Sequence, residues 1–416
     1  RRSLTSPTPK FPADTARPRF RLRVRDLVAR WGYSPHILAW DLVSDIDRVL
    51  GYNVNIVLPW VEEMAAYLRE IDPYQHLITV GAHDFAPEIL TAAGMDFGQV
   101  HAYQRRPLEE PLDQVSGVSR LIQESLRTVA RPVLLTEFSL SPWYEPAEDD
   151  PTGIHVRNTM WASVLAGAAG AGASWWWDTY LEPRDLVAIY RPLAQFTAGI
   201  PWNRLQLVPV LPRLVTNDPA LYTPLRLEGF DRRFMTDALP DLGDYWLTPE
   251  GSFPAINTLS SFIFGQTFNS QLNRPHAYLV APPVDTTLAV MVRNVSPQRG
   301  ARLVLRRDGE LVAALDLAAG APRTTIMVPL PAGEHRIELD NQGDDWLQIG
   351  YVSIEHYVAP LRAMALADRD HGVLLAWFQN REYVWQRAAE AIQTVPPGFT
   401  AEFPNMPTGE YRVEFW

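Results

Sequence analysis

The sequence predicts an α/β region followed by an all-β region. Over residues 19–197, short apolar runs alternate with segments of helical periodicity, the pattern of βαβ units around a parallel sheet. After about residue 201 the helical periodicity stops, and short alternating segments separated by Pro and Gly take over. That pattern of short alternating segments is typical of a β-sandwich. The length of 416 residues predicts two or three domains.

Five parallel strands are predicted in the α/β region, because their nearly continuous apolar runs are typical of strands buried on both faces. They occupy residues 36–42, 76–81, 97–103, 132–138 and 172–178. Helical periodicity fills the segments before and between them and after the last one. These helices are expected at residues 19–31, 55–71, 85–93, 112–128, 154–168 and 186–197.

Strict alternation of strand and helix predicts a portion of a (β/α)8 TIM barrel, with about five of its eight strands in residues 1–200. Three further strands would have to precede residue 1. An open five-stranded sheet would expose its edges. We therefore expect an upstream segment that completes the barrel.

The all-β region is expected to contain one or two β-sandwich domains. We interpret residues 201–249 as a connecting segment, 250–357 as a β-sandwich and 358–416 as a small C-terminal β-domain. Alternating segments predict the strands of these two units. They lie at residues 276–280, 287–292, 302–305, 311–315, 324–328, 333–339, 346–356, 363–367, 373–377 and 411–416.

Charge and composition exclude several kinds of partner and chemistry. The net charge of -11 argues against nucleic acid, which requires clustered basic side chains. With no Cys, disulfides, thiolate metal sites and Cys catalysis are excluded. The apolar run 162–177 contains four Gly and ends in three Trp, so it indicates a helix and a strand rather than a transmembrane segment. No cofactor is expected.

Two acids lie where parallel strands end, the edge at which such a barrel places its chemistry. Asp45 follows the first predicted strand, and Glu137 lies within the run Val-Leu-Leu-Thr-Glu-Phe of the fourth. Two such carboxylates are the minimum set for cleaving a glycosidic bond. The alternatives are a structural ion pair for Glu137 and a helix N-cap or loop acid for Asp45. Asp41 and Asp45 would point the same way along a regular strand.

Other polar residues stand at the same predicted edge. His101 and Tyr103, two residues apart, would face one side and could bind a sugar hydroxyl or orient Glu137, and a core role is the alternative. His83 follows the second strand. Metal catalysis is not expected, because the spacing of the His residues matches no metal-binding motif.

Three consecutive Trp residues end the last predicted strand of the α/β region. Alternation would place Trp175 and Trp177 on one face, with Asp178 directly after them. Indole rings stack on the apolar faces of sugar rings, so either Trp could line a sugar subsite. Packing in the core is the alternative reading of each.

Over about 200 residues the chain resembles glycoside hydrolase family 5 and related retaining (β/α)8 glycosidases. The resemblance rests on Ala29-Arg30-Trp31-Gly32-Tyr33-Ser34-Pro35 with the following strand, on the run 131–138 that contains Glu137, and on 175–178. It implies Glu137 as nucleophile and Asp45 as acid/base, with Ser44 at a position that contacts substrate. The other candidate substrate-binding residues follow from their places at strand ends, namely His83, His101, Tyr103, Trp175, Trp177 and Asp178. Residues 250–357 resemble a galactose-binding-like module. The family's acid/base Glu is replaced by Asp45 here, and the preceding Asn by Ser44.

These features leave two hypotheses open. One is a retaining glycosidase that acts on β-linked oligo- or polysaccharides. The other is a degenerate barrel that binds carbohydrate or serves as a cell-surface or assembly scaffold, which accounts for Ser44 and Asp45 without further assumption. For either protein the expected location is extracellular or at the cell surface.

Overall fold

The computed structural model describes residues 16–103, 113–140, 150–234, 243–385 and 396–416. Its first part is the predicted alternation of helices and parallel strands. The helices are α1 (Ala16–Trp31), α2 (Val54–Ile71), α3 (Pro87–Leu90), α4 (Gln114–Thr128), α5 (Ile154–Leu165) and α6 (Tyr190–Thr197). The strands are β1 (Ala39–Asp41), β2 (Leu77–Thr79), β3 (Gly98–Tyr103), β4 (Val133–Ser139) and β5 (Gly170–Ser174).

These five strands form two parallel sheets, β1–β2 and β3–β4–β5. The segment that leads into β3 joins the sheets, since the Asp96 amide donates to the Ile78 carbonyl at 2.8 Å. Parallel βα alternation is therefore observed, and closure into a barrel stays a prediction. Each described helix is too short or too polar to cross a membrane.

The last strand of this region ends earlier than predicted. β5 stops at Ser174, and residues Trp177–Leu181 form a π-helical turn in place of the predicted strand 172–178. Buried Tyr180 anchors that turn by donating its hydroxyl to the Asp150 carbonyl. Trp175 and Trp177 therefore lie in a turn beyond the sheet.

The all-β region contains a two-sheet sandwich with an apolar core between the sheets. One sheet has the order β10-β9-β12-β17-β14-β15, and the other has the order β11-β18-β13-β16 with β8 paired to β18. The strands are β8 (Thr223–Leu227), β9 (Tyr245–Thr248), β10 (Gly251–Phe253), β11 (Phe262–Ile263), β12 (His276–Val280), β13 (Thr286–Val295), β14 (Ala301–Arg307), β15 (Glu310–Leu317), β16 (Thr324–Leu330), β17 (His335–Asn341) and β18 (Leu347–Val358).

A smaller unit pairs early and late strands. β6 (Val208–Val210) pairs with β19 (Leu361–Asp368), which also pairs with β20 (Val373–Asn380). β7 (Arg213–Thr216) pairs with β21 (Phe399–Glu402). The unit packs on the α/β region, where Trp377 of β20 stacks on Trp161 of α5 with ring centroids 6.1 Å apart.

Two predictions about the all-β region need correction. The predicted connecting segment 201–249 supplies β6 and β7 to the small unit and β8 and β9 to the sandwich. The predicted strand 411–416 is not one, because these residues are exposed and have no ladder of backbone hydrogen bonds. β21 takes the place of that strand at the C-terminal end.

We expect the sandwich to lose stability in mild acid through His276. Its ring is buried against Phe230, and burial lowers the pKa of His276 to about 3. Between pH 6.5 and pH 3 the His276 imidazole is therefore protonated in the unfolded chain but stays neutral in the folded chain. The free energy of unfolding falls by up to about 1.4 kcal/mol per pH unit in that window. Calorimetry of the sandwich transition from pH 7 to pH 4 measures it.

His276→Asn should flatten that dependence, because an amide can replace the Nδ1 contact with the Tyr278 hydroxyl at 3.0 Å but does not titrate. His356→Asn is the matched control, since His356 is exposed on the same sandwich. An equally steep pH dependence in His276→Asn would contradict the assignment.

Candidate active site

The candidate site lies where the carboxyl ends of β1 to β4 meet. Four of the predicted residues come together there, namely Asp45, His101, Tyr103 and Glu137. The His101 Nδ1 atom lies 2.9 Å from Asp45 Oδ1 and 3.9 Å from Glu137 Oε1. The two acids are ninety-two positions apart in the chain, yet both lie within 4 Å of the same imidazole nitrogen.

A β-bulge aims Glu137 at this point. Val100 pairs with Leu135 and His101 pairs with Glu137, so Thr136 is an extra residue on β4. Bulges redirect side chains in this way and are common beside active sites. Gly172 on β5 permits the close approach of the next strand, since a Cβ there would lie 2.2 Å from the Thr136 carbonyl oxygen.

Tyr103 holds the Glu137 carboxylate. Its hydroxyl donates a hydrogen bond to Glu137 Oε1. Burial, that hydrogen bond and the charges of Glu137 and Asp45 raise the pKa of Tyr103 well above its usual range. Tyr103 therefore stays protonated at any ordinary pH and acts as a fixed donor to Glu137, whose side chain is only 16% exposed.

Asp45 does not continue the strand as predicted. β1 ends at Asp41, and Asp45 has a left-handed backbone (φ 51°, ψ 48°) at the start of the 3₁₀ turn Ile46–Arg48. The Ile46 amide donates to the Gly81 carbonyl at 3.0 Å, which fixes the turn against the end of β2. Asp41 and Asp45 consequently do not alternate along one strand. Desolvation by the surrounding protein raises the pKa of Asp41, although nearby Gln99 and His101 oppose the effect.

His83 also reaches the cluster. Its Nδ1 atom lies 3.8 Å from Asp45 Oδ1, and its ring stacks on Tyr103 with centroids 5.1 Å apart. One ligand atom from each of Asp45, His83 and His101 lies within 4.8 Å of the other two. These three residues can therefore hold a metal ion. The spacing of the His residues did not predict such a site, because three separate segments supply the ligands.

The sequence interpretation missed Asp47 as an organiser of the site. Its carboxylate accepts from the backbone amides of His83 at 2.7 Å and Asp84 at 3.1 Å. The loop after β1 is thereby tied to the loop after β2. The sequence signal for it is its position two residues after Asp45, in the loop that follows the first predicted strand.

The remaining predicted residues lie around the site without a contact to either acid that would assign them a role. Ser44 is exposed, as is Asp178 in the π-helical turn. Trp175 and Trp177 are 47% and 57% exposed, so neither is a core residue. Trp175 begins the turn directly after β5, where its amide donates to the Phe138 carbonyl at 2.9 Å.

Sequence relatives match the N-terminal third of the chain. No protein-family model matches the chain. Mannan endo-1,4-beta-mannosidase 5 of Arabidopsis thaliana is 27% identical over 174 residues, which cover 34% of this chain and 40% of the relative. A probable mannan endo-1,4-beta-mannosidase C of Aspergillus terreus is 27% identical over 155 residues, with coverages of 30% and 36%. The chain thus spans less than half the length of these relatives.

Among solved structures, the C-terminal CBM6 of LamC from Zobellia galactanivorans is 17% identical, with coverages of 32% of this chain and 98% of that one, at a TM-score of 0.20. The CBM6cm-2 carbohydrate binding module of Cellvibrio mixtus lichenase 5A is 22% identical, with coverages of 20% and 69%, at a TM-score of 0.17. Scores this low carry no weight for fold or function.

Proposed function

We propose that the chain contributes the catalytic centre of a glycoside hydrolase that cleaves β-linked glycans with retention of configuration. The observation that carries the proposal is the convergence of Asp45 and Glu137 on the Nδ1 atom of His101. The two distances limit the separation of the acidic oxygens to at most about 7 Å. Retaining enzymes hold their carboxyl groups about 5 to 5.5 Å apart, and inverting enzymes about 6.5 to 9.5 Å apart.

The mechanism assigns one role to each acid. Glu137 attacks the anomeric carbon while the glycosidic bond breaks, and protonated Asp45 gives its proton to the leaving oxygen. In the second half, Asp45 takes a proton from water as the water displaces Glu137 from the sugar. The Tyr103 hydroxyl orients the Glu137 carboxylate throughout, and His101 keeps both acids within reach of one sugar ring.

Residues around the acids would bind the sugar. Trp175 and Trp177 offer exposed indole rings for stacking. Ser44, His83 and Asp178 supply hydrogen-bonding groups near the edge of the sheet. The names of the relatives make β-1,4-linked mannan the first substrate class to test. Because a polysaccharide of that kind does not cross membranes, we place the protein outside the cell or at its surface.

We further propose that an upstream segment completes a (β/α)8 barrel around this site. Among the described residues, β1 pairs with β2 alone and β5 with β4 alone, so each has a free edge. Free strand edges are templates for further pairing. The upstream strands would add the rest of the sugar-binding wall.

A specific observation favours the second candidate, a barrel that binds carbohydrate or serves as a scaffold without cleaving sugar. Asp45 is one methylene shorter than Glu, and it occupies a left-handed backbone that Asp adopts more readily than Glu. A displacement of about 1 Å can cost on the order of 100-fold in rate. The geometry of residue 45 thus suits a structural turn as well as an acid catalyst.

Covalent trapping distinguishes the two candidates. The longest natural form of the protein is incubated with activated 2-fluoro glycosides, 2-fluoro mannosides first, and its intact mass is measured. We expect one sugar adduct, mapping to Glu137 after proteolysis, because the fluorine slows hydrolysis of the glycosyl ester. If no sugar of the panel labels the protein while mannan still binds it, the scaffold candidate replaces the hydrolase.

A further inference from the structure

We propose that Asp45, His83 and His101 form a binding site for a divalent transition-metal ion of the zinc class. Two imidazoles lie beside one carboxylate, with the Nδ1 atoms of His101 and His83 at 2.9 Å and 3.8 Å from Asp45 Oδ1. Two His and one carboxylate with an open position is a ligand set that zinc and related ions use in proteins. Nitrogen ligands disfavour calcium and magnesium, which prefer oxygen.

Unsatisfied buried atoms at the centre of the cluster are the second observation. The His101 side chain is only 2% exposed, yet among the described residues neither its Nδ1 atom nor Asp45 Oδ1 has a hydrogen-bond partner. The two atoms are close enough to bond but are not aligned for it. Leaving buried polar atoms unpaired destabilises a fold. A cation between them would satisfy both at once.

The dimensions suit such an ion. Zinc bonds to nitrogen and carboxylate oxygen are about 2.0–2.2 Å long, so a tetrahedral site holds its ligand atoms roughly 3 to 3.5 Å apart. The three ligand atoms here lie within 4.8 Å of one another. A zinc ion would therefore require the Asp45 carboxylate, 35% exposed, and the His83 ring, 10% exposed, to move closer to His101.

Backbone hydrogen bonds hold the segments that carry Asp45 and His83. Asp47 fixes the backbone amide of His83 at 2.7 Å, and the Gly81 carbonyl fixes the turn that carries Asp45. Ring stacking on Tyr103 orients the His83 imidazole. Preorganised ligands of this kind bind a metal without first ordering a loop.

Bound metal would occupy the carboxylate that the proposed hydrolase needs as its acid. If that function holds, zinc therefore inhibits it. The metal site itself does not depend on the hydrolase proposal, because Asp45, His83 and His101 would bind the ion whether or not the chain cleaves sugar. Metal binding is accordingly tested without any measurement of hydrolysis.

The full chain is first stripped of metal with a chelator. It is then titrated with zinc chloride in a calorimeter, and native mass spectrometry counts the bound ions. We expect one ion per chain. His83→Ala and Asp45→Asn should each weaken binding at least tenfold. The matched control is His371→Ala, because His371 also lies against an acid, Asp368 at 2.9 Å, but outside the cluster.

Circular dichroism checks that each variant is folded, and Asp45→Asn keeps the size of the side chain if His83→Ala does not fold. Undetectable zinc binding to the wild-type chain overturns the proposal. So does tight binding that both folded cluster variants retain, because the ion would then sit elsewhere. Zinc binding that the cluster variants lose and His371→Ala keeps supports the metal site, whether or not the wild-type chain forms a 2-fluoro glycoside adduct.

Discussion

Glu137→Gln should lower kcat on a β-linked glycan by at least about 10³-fold. Glutamine has the shape of glutamate, and its amide oxygen can still accept a hydrogen bond from the Tyr103 hydroxyl, so we expect the fold to be preserved. Its amide oxygen is too weak a nucleophile to form the glycosyl intermediate. The measurement is initial-rate kinetics on β-1,4-mannooligosaccharides, together with a thermal melt of each variant.

Glu70→Gln is the matched control, since Glu70 is an exposed acid on α2, away from the site. A second variant separates a chemical role from a structural one. Glu137→Ala leaves a space in which azide can attack the anomeric carbon of an activated β-glycoside, and the product then has the inverted configuration. Wild-type rates in Glu137→Gln would rule out the retaining mechanism.

The α/β region and its acids could be predicted because their signals are local. Parallel strands buried on both faces leave continuous apolar runs, and β1 to β4 are found where such runs occur, whereas β5 ends before the predicted strand 172–178 does. The chemistry of such a sheet lies at the carboxyl ends of its strands, so the sequence pattern alone identifies Glu137, His101 and Tyr103 as candidates. Those distances follow from the adjacency of β3 and β4.

Other features depend on distant parts of the chain and leave no local signal. β8 pairs with β18 and β6 with β19, more than 120 positions away, so residues 201–249 looked like a connection. The left-handed turn at Asp45 and the bulge at Thr136 are set by neighbouring strands. The π-helical turn after β5 depends on the contact of Tyr180 with Asp150.

The strongest stability effect is expected at Arg362, where three parts of the molecule meet. This fully buried side chain on β19 bonds Glu250, from the turn between β9 and β10, at 3.0 Å, and Asp113, before α4, at 2.7 Å. It also donates to Gln379 at 2.6 Å and Ser116 at 3.0 Å. The sandwich, the α/β region and the small unit therefore share one charge network.

Arg362→Met should destabilise the chain by about 3–5 kcal/mol, because it leaves buried carboxylates with less compensation. Burial alone would raise the pKa of Glu250, but the charges of Arg362 and Arg381 outweigh it and hold that pKa below its usual range. Such a group stabilises the fold above the unfolded pKa of about 4.3, and the contribution is lost as the pH falls. The variant should thus lose most stability at neutral pH and less in acid.

Thermal melts and limited proteolysis at pH 7 and pH 4 measure this dependence. Arg302→Met is the matched control, because its pair with Asp316 at 3.0 Å is exposed, and exposed pairs contribute only about 0 to 1 kcal/mol. If Arg362→Met were as stable as this control, the network would not hold the units together. A double-mutant cycle with Glu250→Gln isolates the coupling, since Glu250→Gln should cost less in the Arg362→Met background than in the wild-type chain.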